Sequence, residues 1–510
     1  MSLWQKFLLG LCIFFGIFLR IYPGIYESIF PYDQARDALV VREMVLHKNL
    51  KLLGPVSDIP GVHHGPLFYY IIAPLYALSK WDPWLPLLFF VFLNICAVSG
   101  VYALSRSLFS HQVAFISSIL FLFSYEIVSY AKWLSNPVLV IPLFPWFLYF
   151  LWNQQRLVRN IFIAGILFGL IIQSELVMGF LLFFVYSFFA IKKSNIRDWI
   201  IFHGGAILGV LPLLLAEVKF RGQVIRGLIG YVLSRVQHTK PPVQTETTFP
   251  LVKYGEMMVT LFQKNVWGFP TLFAGLFLIC IICGAVWYSK RTSNLSQVFF
   301  LLGPLLWSVV LFFTGRPPEK FFFIGMGILM MILFTYVLTT YTKNMRSVIA
   351  TIIIFLAIGS QLRMIYVQAR DNHAYVQVQD GVLLRQRKQV LDAVYAQVPQ
   401  NTPFTVSIFE TPYGIRSAWS YYFSWYKSKR DVVIPQWYGF AADGYIGDEI
   451  LPRSDGPFQT HITIYEPNFD IGPEFTKNFR EYQDNHTILV KEFVMNNHRI
   501  QVRKPKDTEE

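Results

Sequence analysis

The chain has 510 residues, of which 54% are hydrophobic, 17% aromatic and only 15% charged, with a net charge of +13. A soluble globular chain carries about a quarter charged residues. This composition, with its apolar residues gathered into long runs, excludes a soluble enzyme. Residues 368–510 carry a net charge of −2, so the positive excess lies on the apolar part of the chain, and no patch resembles a nucleic-acid surface.

A run of roughly 20 apolar residues spans the hydrocarbon core as a helix, because only a helix satisfies its own backbone in lipid. Eleven such spans are expected, at 3–22, 84–105, 112–131, 136–152, 159–174, 175–191, 199–217, 268–289, 297–315, 320–341 and 347–367. The first, from Leu3 to Tyr22, reads as an uncleaved anchor: only Lys6 precedes its apolar run, no small-x-small cleavage site follows, and Arg20 lies near its end. The fourth is short and holds Pro142 and Pro145, which predicts a kink. The four cysteines, Cys12, Cys96, Cys280 and Cys283, all fall inside apolar runs, so no disulfide framework is expected; the C-x-x-C at 280–283 lacks further ligands for a metal.

Basic residues set the orientation. With the N-terminus cytoplasmic, the inner segments hold Lys6, Arg106, Arg156, Arg159, Lys192, Lys193, Arg197, Lys290, Arg291, Lys343 and Arg346 against one acid, Asp198. The short outer loops hold only Lys132, Arg316 and Lys320. Three large segments then lie outside: 23–83, 218–267 and everything after 367. The expected division is a membrane domain, 1–367, and a small extracytoplasmic α/β domain, 368–510. In the latter, helices are expected at 382–398 and 417–427, strands at 404–409, 432–437 and 461–465, and a closing hairpin turning at Asn496-Asn497. It contains no phosphate-binding glycine loop and no nucleophile elbow, so support or acceptor recognition is its expected role.

The chemistry-bearing residues lie on the outer side. FPYDQARDALVVREM, residues 30–44, puts Asp33 and Asp37 four apart, on one face of a helix, with Arg36 beside both. Val40, Val41, Met44 and Val45 make an apolar stripe, which predicts an amphipathic helix on the outer membrane surface. An isolated acidic pair at a helix start ordinarily caps the helix and decorates its surface. Three neighbouring features weigh against that reading here. His63 and His64 lie in the same segment, before a second amphipathic run from Leu67 to Ser79. Arg316 and Lys320 bracket Glu319 after the ninth span, and cations at lipid level need a counter-charge, either a phospholipid headgroup or a substrate phosphate. Lys132 and Asn136 follow the third span, and Glu175 lies between the fifth and sixth. Carboxylates, histidines and cations from distant loops thus share one membrane face. Sugar transfer from a polyprenyl-phosphate carrier needs a base for the acceptor hydroxyl and positive charge for the departing phosphate. Asp suits the first task; Arg and Lys suit the second.

This pattern resembles the GT-C superfamily of membrane glycosyltransferases, in the branch of the protein O-mannosyltransferases and the bacterial aminoarabinose transferase. YDQARDALVVREM matches that family's acidic motif after the first span, and HHGPLFYY resembles its basic-Pro-Pro-Leu-aromatic motif. The resemblance implies a multi-span α-helical transferase in the bacterial cell (inner) membrane, using a polyprenyl-phosphate sugar donor and a lipid, glycan or protein acceptor. It puts Asp33 at the catalytic-carboxylate position, His63 or His64 at a donor-phosphate contact, and Lys132 with Asn136 in the second outer motif. Two departures stand out: Asn136 where many relatives have Asp, and Gln34 where an acid commonly neighbours the catalytic residue. These departures weaken the case for a tightly bound divalent cation; Asp33 and Asp37 alone could still hold one loosely, and His63 and His64 could contact a phosphate or a metal.

Two other functions compete. A lipid or sugar transporter or flippase would carry ionisable residues at the bilayer midplane on repeated, broken helices. No such repeat is found, and His203, the polar residue inside a span, reads as a packing residue. A scaffold with a degenerate site is the third reading, motivated by Gln34 and Asn136. Arg235, His238 and Lys240 read as solvated loop charge or part of a lid.

Overall fold

The computed structural model describes residues 2–57, 59–153, 158–237, 250–313, 318–342, 347–371, 380–454, 457–467 and 471–506. The chain divides into two compact units. The first comprises Met1–Tyr22, Lys51–Tyr70 and Phe89–Asp371; the second comprises Pro23–Leu50, Ile71–Leu88 and Asn372–Glu510.

The first unit is helical. An apolar helix occurs at each of the eleven predicted stretches, but only five helices are long and apolar enough to cross a membrane, or six if one bent pair is a single span. The five are Leu3–Ile21, Trp84–Leu108, Thr271–Thr292, Leu295–Phe313 and Val348–Asp371. The shortening has local causes. The run at 112–131 is interrupted at Ser124, whose extended backbone ends one helix and whose hydroxyl caps the next. The runs at 136–152 and 175–191 open with 3₁₀ turns, one of them carrying Pro137. The run at 199–217 breaks between Ile196–Gly209 and Leu211–Lys219, which meet at 66°, with Pro212 opening the second helix. Arg20, fully buried, is partly satisfied where it lies: its Nε donates to Asn94 Oδ1 at 2.7 Å and its Nη1 to the carbonyls of Gly16 and Leu122, both at 2.9 Å. His203 is a packing residue, bonded to the Trp199 carbonyl at 2.7 Å and to the Tyr186 hydroxyl at 3.0 Å.

The tightest helix pair is Val158–Ser174 against Ile196–Gly209. Gly165 and Gly169 on the first face Gly205 and Gly209 on the second, two small-xxx-small pairs of the kind that lets backbones meet in lipid. A Cβ on Gly169 would lie 2.7 Å from the Gly209 Cα, and one on Gly209 would lie 2.8 Å from the Gly169 Cα. No other residue fits.

The second unit is built on a five-stranded sheet: β1 (Thr405–Phe409), β2 (Gln436–Trp437), β3 (His461–Tyr465), β4 (Thr487–Met495) and β5 (His498–Pro505). The order is β2-β1-β3-β5-β4. The first three strands are parallel, and β5 joins β3 and β4 antiparallel. β1 and β3 are buried along their whole length, as parallel strands covered on both faces should be. Asn496 and Asn497 both take positive φ, 48° and 65°, which is the two-residue turn whose twist suits a hairpin. The predicted strand at 432–437 shrinks to two residues after Pro435, and a helix not foreseen, Pro473–His486, precedes β4.

A charged network ties this unit together. Arg387, 2% exposed, pairs with Glu466 at 2.6 Å; Glu466 also accepts from Trp419 Nε1 at 2.9 Å, and His498 Nε2 lies 2.7 Å from the Arg387 guanidinium. Glu410, at the end of β1, is buried beside them. Burial, then the neighbouring Glu466 charge, push its carboxyl well above the ordinary glutamate value, against the pull of Arg387 and Arg416.

Candidate functional site

Asp33 lies in the first turn of the helix Tyr32–Leu46, whose N-cap is Pro31 with no side-chain cap bond. Asp33 therefore does not cap. Its charge complements the helix dipole, while its carboxylate stays accessible, with 63% of the side chain exposed. Arg36 Nη1 binds Asp33 Oδ1 at 2.8 Å, and Arg36 Nη2 binds the buried Asp37 at 2.9 Å. The guanidinium also stands 5.5 Å from the Tyr32 ring centre. Arg36 thus lies between the two carboxylates, where a shared divalent cation would have to sit. Among the described residues no group of three His, Cys, Asp or Glu side chains is placed to hold a metal. The residues present do not fit a metal centre at Asp33 and Asp37.

The expected apolar stripe is only partly used: Val41 and Met44 are buried, together with Ala35, Ala38 and Leu39. The face packs on the aromatic helix Ser417–Lys427 of the same unit. The Phe30 ring stacks on Tyr421 at 5.1 Å, and the Tyr422 hydroxyl donates to the Phe30 carbonyl. Gly447, at φ +96°, lets its loop settle between Leu39 and Ser420; a Cβ there would lie 2.9 Å from Leu39 Cδ1 and 2.8 Å from Ser420 Cβ. The Asp33 helix is anchored by protein here, rather than by the lipid surface that its stripe suggested.

The remaining candidates lie in the first unit. Gly54 to Ser57 and Val62 to Gly65 form a small antiparallel hairpin, with Gly54 N bound to His64 O and His64 N to Pro55 O, each at 2.9 Å. Neighbours on an extended strand point to opposite faces, so His63 and His64 cannot both serve one ligand; His64 is buried and His63 half-buried. The hairpin is held by Gly65 N, which donates to the Gln173 carbonyl at 2.9 Å. One residue on, Ser174 offers its carbonyl to Asn136 Nδ2 at 2.6 Å. Glu175 caps the following 3₁₀ turn through Val177 N at 3.2 Å. The strand bearing His63 and His64, the Asn136 side chain and the Glu175 cap are thus each tied to the backbone between 173 and 177. The Lys132 ammonium donates to the carbonyl of Tyr22, at the end of the first helix. Arg316, like His238 and Lys240, lies outside the described residues.

Gln173 and Lys264 went unnoticed in the sequence. Gln173 donates from its side chain to Gly209 O, the carbonyl at the broken helix, and so satisfies a group that lipid would leave bare. Lys264, on the helix Pro250–Asn265, stands 5.2 Å from the Tyr125 ring centre. Burial lowers its pKa, the like charge of Lys320 lowers it further, and Glu126 offsets part of this. Two cations within mutual electrostatic reach are a place where an anion is favoured. Beneath them, Asn265 donates to the buried Glu126 and accepts from Ser124 Oγ at 2.9 Å. Glu126 is therefore engaged within the bundle.

Residues 63–216 match the family model for Dolichyl-phosphate-mannose-protein mannosyltransferase. The whole chain is similar to the crystal structure of ArnT from Cupriavidus metallidurans bound to undecaprenyl phosphate, with a TM-score of 0.61 at 10% identity, covering 98% of each chain. The fold is that of the GT-C membrane glycosyltransferases. The apo form of ArnT superposes with a TM-score of 0.56 over the same shares at 10% identity. The oligosaccharyltransferase of Archaeoglobus fulgidus reaches a TM-score of 0.48 at 12% identity, over 82% of this chain and 63% of that one. No curated protein sequence matches the chain. Within the GT-C fold, the family match takes in His63, His64, Lys132, Asn136 and Glu175 and begins after Asp33. The likeness to ArnT, by contrast, runs the length of the chain, so this is a multi-span membrane protein with a small C-terminal sheet domain.

Proposed function

We propose that the chain is a glycosyltransferase that moves a sugar from a polyprenyl-phosphate donor to an acceptor hydroxyl on the outer face of the membrane. In this reading eleven stretches cross or enter the bilayer, the N-terminus is cytoplasmic and residues 368–510 lie outside. The observation that carries the reading is Asp33, an exposed carboxylate at a helix start, steadied by Arg36, in a chain with the GT-C fold. Asp33 takes the proton of the acceptor hydroxyl as its oxygen bonds to the sugar's anomeric carbon. The bond from that carbon to the donor phosphate oxygen breaks, and the electron pair leaves with polyprenyl phosphate. Positive charge stabilises the leaving group, and Lys264 and Lys320 supply it, with Arg316 a further candidate. That ArnT was crystallised with undecaprenyl phosphate supports a phosphate-bearing isoprenoid as ligand. No step runs through a metal.

Lipid mass spectrometry on cells with and without the gene tests the reaction. A polyprenyl-phosphate sugar accumulates in the deletion strain and returns to its basal level on complementation; an unchanged lipid profile rejects the proposal. The lysine pair has its own test. Replacing Lys264 and Lys320 together by Ala raises the KM for the donor on the order of tenfold or more, since hydrogen bonds to charged groups contribute about 1.5–3 kcal/mol each. An unchanged KM in the double variant removes them from the phosphate site.

A further inference from the structure

We propose that a pocket wholly within the second unit binds an anionic saccharide. The pocket has a volume of ≈ 420 Å³, within the range of about 300–1,000 Å³ typical of small-molecule sites. Its walls include Trp81, Tyr421 and Trp425, its polar groups include Ser424, and its cations are Arg42 and Lys427. Among the described residues no carboxylate lines it. Asp82, which follows Trp81 in sequence, is already engaged: the Tyr26 hydroxyl donates to both its oxygens at 3.1 Å, and Lys429 pairs with it. Arg42, on the Asp33 helix, is held in place without being neutralised. Its Nη1 donates to Ser424 Oγ at 2.7 Å, and its guanidinium stands 6.0 Å from the Trp81 ring centre.

The backbone at the pocket points the same way. Lys80 and Trp81 both sit in the left-handed region, at φ 53° and 67°. Glycine is the usual residue in such positions after a helix, and a bulky side chain there is an outlier. The conformation is pinned from both sides, because Trp81 N donates to the Tyr76 carbonyl at 2.8 Å and the Tyr421 hydroxyl donates to the Trp81 carbonyl at 3.2 Å. An indole held at an energetic cost, next to a cation without a carboxylate partner among the described residues, is a place where strain is retained for recognition. Flat aromatic walls take the C–H face of a pyranose, the hydroxyl bonds its ring substituents, and Arg42 with Lys427 select a carboxylate or phosphate on it.

The test is binding, and it does not depend on transferase activity. The full-length protein is placed in phosphatidylcholine nanodiscs and titrated with glucuronate, glucose 6-phosphate, glucose and glycerol phosphate, read by saturation-transfer difference NMR. Glucuronate and glucose 6-phosphate bind, and each loses at least tenfold in affinity in Arg42→Ala and in Trp81→Gly. Trp81→Gly suits the left-handed backbone, so it removes the indole while favouring the local fold; Arg42→Lys keeps the charge and recovers part of the affinity. Unchanged affinity in both variants overturns the proposal. So does glucose binding as tightly as glucuronate, which would leave the cations without a role. Glycerol phosphate binding as tightly as glucose 6-phosphate also overturns it, in favour of a lipid headgroup.

Discussion

Asp33→Asn reduces sugar transfer by about 10²–10⁴-fold, the range over which a positioned general base contributes, while the protein remains folded and inserted. Asn keeps the size of the side chain and its ability to accept a hydrogen bond from Arg36, but it cannot hold the acceptor's proton. The structural consequence is small. Arg36 keeps Asp37 as its partner, and an ion pair as exposed as Asp33–Arg36 contributes within about 1 kcal/mol. The measurement is transfer from a labelled polyprenyl-phosphate sugar in proteoliposomes, with size-exclusion behaviour and thermal melting as controls. Turnover at the parent rate in the Asn variant would remove Asp33 from the chemistry.

The largest loss of stability is expected at Arg387. Arg387→Ala strands Glu466 in the interior of the second unit, beside Trp419, His498 and the buried Glu410. Breaking a buried pair in this way costs about 3–5 kcal/mol. The variant unfolds this unit at lower denaturant concentration, followed by tryptophan fluorescence of the full chain; an unaltered midpoint shows that the pair is dispensable. Acid acts on the same region. Burial raises the Glu466 carboxyl, but Arg387 and its other partners hold it below the ordinary value. Burial lowers His498 to about 4 and His461 to about 3. All three have depressed folded-state values, so their stabilisation is present above the unfolded values and is lost as the pH falls through the folded ones. Glu410 acts in the opposite sense, since its raised value favours the fold as the pH falls. One carboxyl against two imidazoles leaves a net loss below pH 6.5. In Arg387→Ala, which frees Glu466 to take up a proton more readily, the acid side of the profile flattens.

What could be read in the sequence was whatever local chemistry dictates. Asn496-Asn497 is a turn because both residues tolerate positive φ, and β1 and β3 are legible as short apolar runs. Asp33 and Asp37 share a helix face through spacing alone. The helix Pro473–His486 was missed because it is strongly polar, with Phe479 its one buried apolar residue. Eleven apolar runs were visible, but their interruptions depend on single residues: Ser124 capping a second helix, Pro137 opening a 3₁₀ turn, Pro212 restarting a broken span. Lys264 carried no signal, because what distinguishes it is Lys320, more than fifty positions away in the chain. Glu175 and Lys132, expected as site residues, each bond to backbone as well: one caps a turn, the other donates to a helix-end carbonyl.

The paired glycines of Val158–Ser174 and Ile196–Gly209 leave no slack between those helices. Gln173 continues the first of them, its side chain stoppering the open carbonyl of Gly209 and its own carbonyl tethering Gly65. A methyl group wedged at residue 169 would therefore be transmitted, through one glutamine, to the strand that bears His63 and His64. Their setting is registered to a contact between two bare backbones, so its tolerance to sequence change is fixed deep among the apolar helices as well as where the histidines sit.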